Sequence, residues 1–127
     1  MRALVIDDSR TMRAIMARHL RELGVEVHEA RTGLEGLVAL HKIGKCDLVL
    51  IDWNMPEMYG FELLRRIRAE SQFDDVRLMM VTTESEMANV ASALEAGANE
   101  YLMKPFDRDA LLEKLLLLGI DPSELAA

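Results

Sequence analysis

The strongest constraint on this chain is an alternation that runs its whole length. Runs of Ala, Val, Ile, Leu and Met at Ala3–Ile6, Cys46–Ile51 and Val76–Val81 are apolar on both parities over most of their length. A weaker alternating run spans Val25–Ala30, and a compact one spans Glu100–Met103. A strand apolar on both faces belongs in a parallel sheet covered by helices on either side. Helical patterns fill the intervals: Met12, Ile15, Met16, Leu20 and Leu23; Leu34, Leu37, Val38 and His41; Phe61, Leu64 and Ile67; Met87, Val90, Ala91 and Leu94; Leu111, Leu112, Leu115 and Leu116.

The punctuation agrees. Thr32-Gly33-Leu34-Glu35 is a capping box at a helix start. Gly24, Gly44, Gly97 and Gly119 fall just past helical patterns, where a left-handed residue ends a helix. Pro56, Pro105 and Pro122 lie outside helix and strand interiors. Successive strand–helix units joined by right-handed crossovers predict an α/β fold: a doubly wound, five-stranded parallel sheet with five helices. Residues 1–120 are expected to form one domain and 121–127 a short tail with no output domain, in which Asp121-Pro122-Ser123-Glu124 would cap a terminal turn.

Composition narrows the partners. Lys and Arg number 15 against 22 Asp and Glu, a net charge of −7, which argues against nucleic acid or an anionic membrane surface. The apolar run after Arg2 ends at Ile6, short of the roughly 7–15 residues of a secretory core. Leu48–Ile51 and Leu115–Leu118 fall far below the ~18 of a spanning helix. With Cys46 as the single cysteine, an intramolecular disulfide is impossible and a reducing cytoplasm is the expected location. Cys46 reads as a small inert hydrophobe and the nine methionines as core filling. His19, His28 and His41 lie on separate elements without shared ligand spacing.

In a doubly wound sheet, sites form beyond the carboxyl ends of the strands. Those positions are Asp7 and Asp8, then Asp52, then Thr82 and Thr83, then Lys104. Helix capping accounts for one such carboxylate, as it could for Asp8. It does not account for chemistry at four strand tips on one edge. Three carboxylates in one pocket repel, and a divalent cation with all-oxygen ligands, of the Mg2+ kind, relieves that. Asp52 could then be a carboxylate nucleophile, with Lys104 and a threonine hydroxyl neutralising a transferred phosphoryl group.

Val5-Ile6-Asp7-Asp8-Ser9, Leu50-Ile51-Asp52-Trp53-Asn54-Met55-Pro56, Met80-Val81-Thr82 and Lys104-Pro105-Phe106 together resemble the receiver domain of two-component response regulators. The chain is most similar to the stand-alone chemotaxis (CheY-like) type, with its flavodoxin-like winding. The resemblance covers residues 1–118. It implies that Asp52 accepts a phosphoryl group from a sensor histidine kinase or a histidine phosphotransfer protein. It implies Mg2+ held by Asp8, Asp52 and the Asn54 backbone carbonyl, with Asp7 holding a metal-bound water. Thr82 would bond a phosphoryl oxygen, Lys104 would pair with it, and Tyr101 would turn inward as Thr82 moves. The Lys104–Pro105 bond would be cis. The output surface would be the fourth helix, fifth strand and fifth helix, where Glu86, Asn89, Tyr101 and Lys114 are expected exposed, on a monomer or a phosphorylation-dependent dimer.

The chain departs from the family pattern at three places. Tyr59 stands where an Asp usually precedes the glycine matched by Gly60, which implies altered loop geometry rather than lost chemistry. Thr83 is bulkier than the usual Ala, Gly or Ser and is expected to narrow access to Asp52. Ser85-Glu86-Met87-Ala88 lacks the lysine pair of flagellar regulators, so a partner other than the motor, or a weaker version of that contact, is expected. A phosphorelay intermediate or a phosphate sink is the alternative within the family. Outside it, a haloacid-dehalogenase-like phosphotransferase needs a second Asp where Asn54 stands, and Asn cannot take a proton from water. A flavin binder needs a phosphate-cradling loop, where Asp7-Asp8 would repel. An adaptor without phosphorylation leaves the strand-tip chemistry unused. The chain is therefore expected to be no enzyme beyond its own phosphorylation and dephosphorylation.

Overall fold

A computed structural model of the chain describes residues 1–55 and 57–124, and only the backbone at 84 and 85. Its strands are β1 (Arg2–Ile6), β2 (Glu26–Ala30), β3 (Leu48–Asp52), β4 (Arg77–Thr82) and β5 (Glu100–Met103). They form one parallel sheet in the order β2-β1-β3-β4-β5. The helices are α1 (Arg10–Glu22), α2 (Gly33–Lys42), α3 (Gly60–Arg68), α4 (Val90–Glu95) and α5 (Arg108–Leu117). The predicted doubly wound α/β fold is the observed one.

Strand parity divides the core in two. Ala3, Val5, Leu48, Leu50, Met79 and Val81 face Met16 and Leu20 of α1 and Leu111 and Leu115 of α5. Leu4, Ile6, Val49, Ile51, Leu78 and Met80 face Leu40 of α2, Leu63, Leu64 and Ile67 of α3, and Ala93 of α4. Burying an aliphatic side chain of this size contributes about 1.5–3 kcal/mol, so both faces of the central strands stabilise the sheet. The edge strand β2 keeps Glu26 and Glu29 exposed, which is why its sequence signal was weak.

Side chains cap three helices: Thr32 as the sequence predicts, Ser9 where Asp8 was the candidate cap, and Asp107. Ser9 Oγ accepts the Met12 N–H at 3.2 Å, Thr32 Oγ1 the Glu35 N–H at 3.1 Å, and Asp107 Oδ1 the Ala110 N–H at 2.8 Å. The four glycines predicted to end helices all have positive φ. The chain closes with a 3-10 turn at Pro122–Glu124, where Asp121 Oδ1 accepts the Ser123 N–H at 3.0 Å. Pro56 and residues 125–127 lie outside the described residues. Among the described residues, no helix is long and apolar enough to cross a membrane.

Two expectations shift. The third strand runs on through Asp52, because Asp52 pairs with Val81 of β4. The fourth helical pattern is not one helix. A 3-10 segment covers Glu84–Asn89, and α-helix begins only at Val90. The Glu86 carboxylate accepts the Thr83 N–H at 3.0 Å and the Thr82 hydroxyl at 3.1 Å, which ties this first turn to the end of β4.

Candidate functional site

Register brings the strand-tip residues together. Ile6 pairs with Ile51, so Asp7 and Asp52, the next residues along β1 and β3, stand side by side. Asp52 pairs with Val81, which sets Thr82 one step beyond, and Thr82 pairs with Met103 of β5. Lys104 follows directly, its N–H donating to the Thr82 carbonyl at 2.7 Å. The Lys104–Pro105 bond is cis. All the candidates lie at the carboxyl edge, where the switch between the β1 and β3 crossovers opens a crevice.

The carboxylate oxygens of Asp7, Asp8 and Asp52 lie within 4.8 Å of one another. Asp7 is fully buried, Asp52 is 6% exposed, and Asp8 is exposed. The Lys104 ammonium donates to Asp52 Oδ1 at 2.9 Å and to Asp7 Oδ2 at 3.2 Å. The second oxygen of Asp7 accepts the Ser9 N–H at 2.8 Å, and Arg13 donates to the Asp7 carbonyl at 2.8 Å. One ammonium thus bonds two of the three carboxylates. Burial raises the Asp52 carboxyl to about 6, against the Lys104 hydrogen bond and with help from the charges of Asp7 and Asp8. Burial alone would lower the Lys104 pKa, but the bond and charge of Asp52 and the charge of Asp7 hold it above its ordinary value. A hard divalent cation fits this set: the donors are all oxygen, they converge, and the exposed Asp8 leaves room for retained water.

The turn after β3 holds Asp52 from behind. Met55 and Met58 are buried, and the Gly60 N–H donates to the Trp53 carbonyl at 2.9 Å. A Cβ at Gly60 would overlap the Asp52 carbonyl oxygen and meet the Trp53 Cα at 3.0 Å, so only glycine lets α3 start this close to β3. Glu57 takes a left-handed φ of 68° in the same turn. Tyr59 is 63% exposed and borders an apolar groove with Trp53, Phe61 and Asn89. Asn54 is exposed beside the cluster.

Thr82 is fully buried at the end of β4, and Thr83 is exposed. Tyr101 is half-buried, with the Lys114 ammonium 4.1 Å over its ring and 3.1 Å from Glu100 Oε1. Of the four output-face positions expected to be exposed, only Asn89 is; Glu86, Tyr101 and Lys114 are half-buried because they bond inward. Glu86, expected to be exposed, is instead half-buried, with its carboxylate bonded to Thr82 and Thr83. Its signal was there in Thr83-Glu84-Ser85-Glu86, a capping-box spacing directly after a strand.

The residues set aside as structural remain so. His41 bonds Glu70 at 2.9 Å, His28 bonds Glu26 at 3.0 Å, and His19 stacks near Phe106, each in a different place. Burial pushes the Cys46 thiol up to about 11, far from a reactive thiolate.

Comparison with known proteins agrees with the geometry. Residues 3–116 match the family described as the response regulator receiver domain. The chain is 46% identical to a chemotaxis protein CheY homolog of Campylobacter jejuni, covering 100% of this chain and 99% of that protein. It is 44% identical to chemotaxis protein CheY1 of Helicobacter pylori, over 94% of this chain and 98% of that one. Among solved structures it superposes on the chemotaxis response regulator CheY4 of Vibrio cholerae with a TM-score of 0.85 at 33% identity, covering 92% and 97% of the two chains. Sheet order, strand-tip chemistry and full-length relatives converge on one conclusion: the chain belongs to the response regulator receiver domain family.

Proposed function

We propose that this chain is a phosphorylation-controlled switch in chemotaxis signalling, with Asp52 as phosphoacceptor. The observation that carries the reading is the Lys104 ammonium bridging Asp52 and Asp7, with Asp8 exposed beside them. A carboxylate oxygen of Asp52 attacks the phosphorus of a phosphohistidine on a sensor kinase or phosphotransfer protein. The new O–P bond forms as the N–P bond breaks, and the imidazole leaves, taking up a proton from solvent. Mg2+ held by Asp8, Asp52 and the Asn54 carbonyl, with Asp7 orienting a bound water, would supply charge neutralisation for the phosphoryl oxygens.

Lys104 keeps its place and pairs with the phosphoryl group, while Thr82 hydrogen-bonds a phosphoryl oxygen. Asn54, two residues after Asp52, offers no carboxylate to activate water, so the acyl phosphate outlasts the transfer. Residues 1–120 act as the whole receiver, and α4, β5 and α5 carry the change through Tyr101 to a protein partner in the cytoplasm.

Incubation with Mg2+ and acetyl phosphate, followed by intact mass, tests this. One added phosphoryl group, about 80 Da and carrying ~−1.5 to −2 charge, is expected on the wild type and not on Asp52→Asn. Labelling of the variant would move the acceptor elsewhere.

A further inference from the structure

We propose that Glu86 is a resting-state latch on the switch, a carboxylate that occupies the Thr82 hydroxyl until a phosphoryl group displaces it. The inference rests on the phosphoacceptor reading of Asp52. Thr82 Oγ1 lies 3.1 Å from Glu86 Oε2 and 3.1 Å from the Thr83 carbonyl. A hydroxyl has one proton to donate, so either partner withholds it from a phosphoryl oxygen. The bond to Glu86 is the stronger of the two, because its acceptor is ionised. The same Oε2 also accepts the Thr83 N–H at 3.0 Å, so one carboxylate oxygen binds both the switch hydroxyl and the backbone that follows it.

A second observation concerns the length of this segment. The 3-10 run at Glu84–Asn89 has six residues, whereas such runs rarely exceed about 3–4, so its geometry is one that a change of partner can convert. Freed from Glu86, the segment can wind on as the α-helix its apolar spacing predicts. Two discrete arrangements follow. In one, Thr82 is held by Glu86 and the first turn is 3-10. In the other, Thr82 is turned to the phosphoryl group, with Glu86 driven into solvent by like-charge repulsion. A phosphoryl mimic binds only the second, so its apparent affinity falls by the fraction of molecules that are unlatched.

The test uses beryllofluoride with Mg2+ as the probe, followed by backbone amide shifts in the wild type, Glu86→Ala, Glu86→Gln and Glu86→Asp. Removing the latch is expected to tighten apparent beryllofluoride binding about 5–10-fold in Glu86→Ala. Glu86→Gln, a neutral acceptor of the same length, should fall between, and Glu86→Asp, one methylene short, should resemble Ala. In a Thr82→Ala background the same Glu86→Ala change should alter binding less than about twofold, because the hydroxyl it restrains is gone. Equal tightening in both backgrounds would make Glu86 a nearby charge and nothing more, and no tightening at all would remove the latch. If beryllofluoride fails to bind the wild type, the phosphoacceptor reading falls by itself. The latch is then judged in the metal-free protein: the Thr83 amide resonance must shift upfield in Glu86→Ala and Glu86→Asp, and an unmoved resonance overturns it.

Discussion

The two ends of the sheet are built on opposite electrostatic terms. At the amino end, cations are surrounded by acceptors. The Arg68 guanidinium donates to the carbonyls of Gly97, Phe73 and Val76 and to Asn99 Oδ1, at 2.7–2.9 Å. Asn99 Oδ1 also takes the Leu78 N–H at 2.8 Å, which closes the starts of β4 and β5 into one network. Nearby, Arg2 pairs with Glu26 and reaches the Ile43 carbonyl, while its N–H donates to Asp47. At the carboxyl end the imbalance runs the other way, with one ammonium for three carboxylates. The first end is built for stability alone. The second gathers like charges at a cost in stability, which the proposed cation and phosphoryl group would offset.

If that contrast is right, Arg68→Ala has the largest stability effect. It takes the guanidinium from four acceptors, of which Asn99 Oδ1 and the Phe73 carbonyl keep a backbone donor, and should cost about 2–4 kcal/mol by urea unfolding, leaving Asp52 labelling intact in the folded fraction. Arg68→Lys should recover less than half, since one ammonium cannot span the planar fork. Loss of labelling in folded Arg68→Ala would break the comparison.

Asp52→Asn should act in the opposite direction and stabilise the metal-free protein at pH 7 by about 1–3 kcal/mol, at ~1.4 kcal/mol per pKa unit. The sign follows from the shift. The folded carboxyl titrates near 6, above its ordinary value of 3.8, so folding disfavours the charged form. The penalty is absent below about pH 4, grows as pH rises through about 6, and is constant above that. Wild type and Asp52→Asn should therefore be equally stable at acid pH and diverge on the way to neutrality. A gap independent of pH would assign the effect to packing.

Mg2+ should relieve the same strain. At ten times its dissociation constant it should stabilise the wild type by about 1.4 kcal/mol and perturb the fluorescence of Trp53, next to Asp52. Asp8→Ala should lose most of both responses. A flat titration would leave the cluster without its cation. The smallest effect is expected away from either end. Lys114→Ala removes the cation over the Tyr101 ring and should cost about 0.5–1 kcal/mol, with a change in the near-ultraviolet dichroism of tyrosine.

The winding and the acidic cluster were both legible in the sequence for a common reason. Strands that are apolar on two faces admit one architecture, and that architecture sends the next residue of each strand to one edge. Asp7, Asp52, Thr82 and Lys104 could be placed together from position alone. What escaped depended on bonds no periodicity encodes. Leu94 and Ala91 fit a helical stripe, yet they are exposed, and the segment before them winds tighter because Glu86 turns back to Thr82 and Thr83. Arg68 read as one basic residue among several on α3, and its four acceptors come from separate turns that meet only in the folded chain. Lys114 looked like a surface charge because its neighbour Tyr101 is distant in sequence.

The strand that carries Asp52 has a consequence in time. All five residues of β3 are buried, and β3 is hydrogen-bonded to β1 on one side and β4 on the other. Its amides can meet solvent deuterium only when the sheet comes apart, so their exchange tracks global unfolding. The segment after Thr82 lies outside the sheet, with Thr83, Ala88 and Asn89 exposed, and opens more cheaply. Asp52 therefore sits on a slowly opening strand, beside a segment that opens sooner. On the proposed reading, a phosphoryl group on Asp52 would be felt without deforming the sheet, because the segment beyond Thr82 would be the part that rearranges.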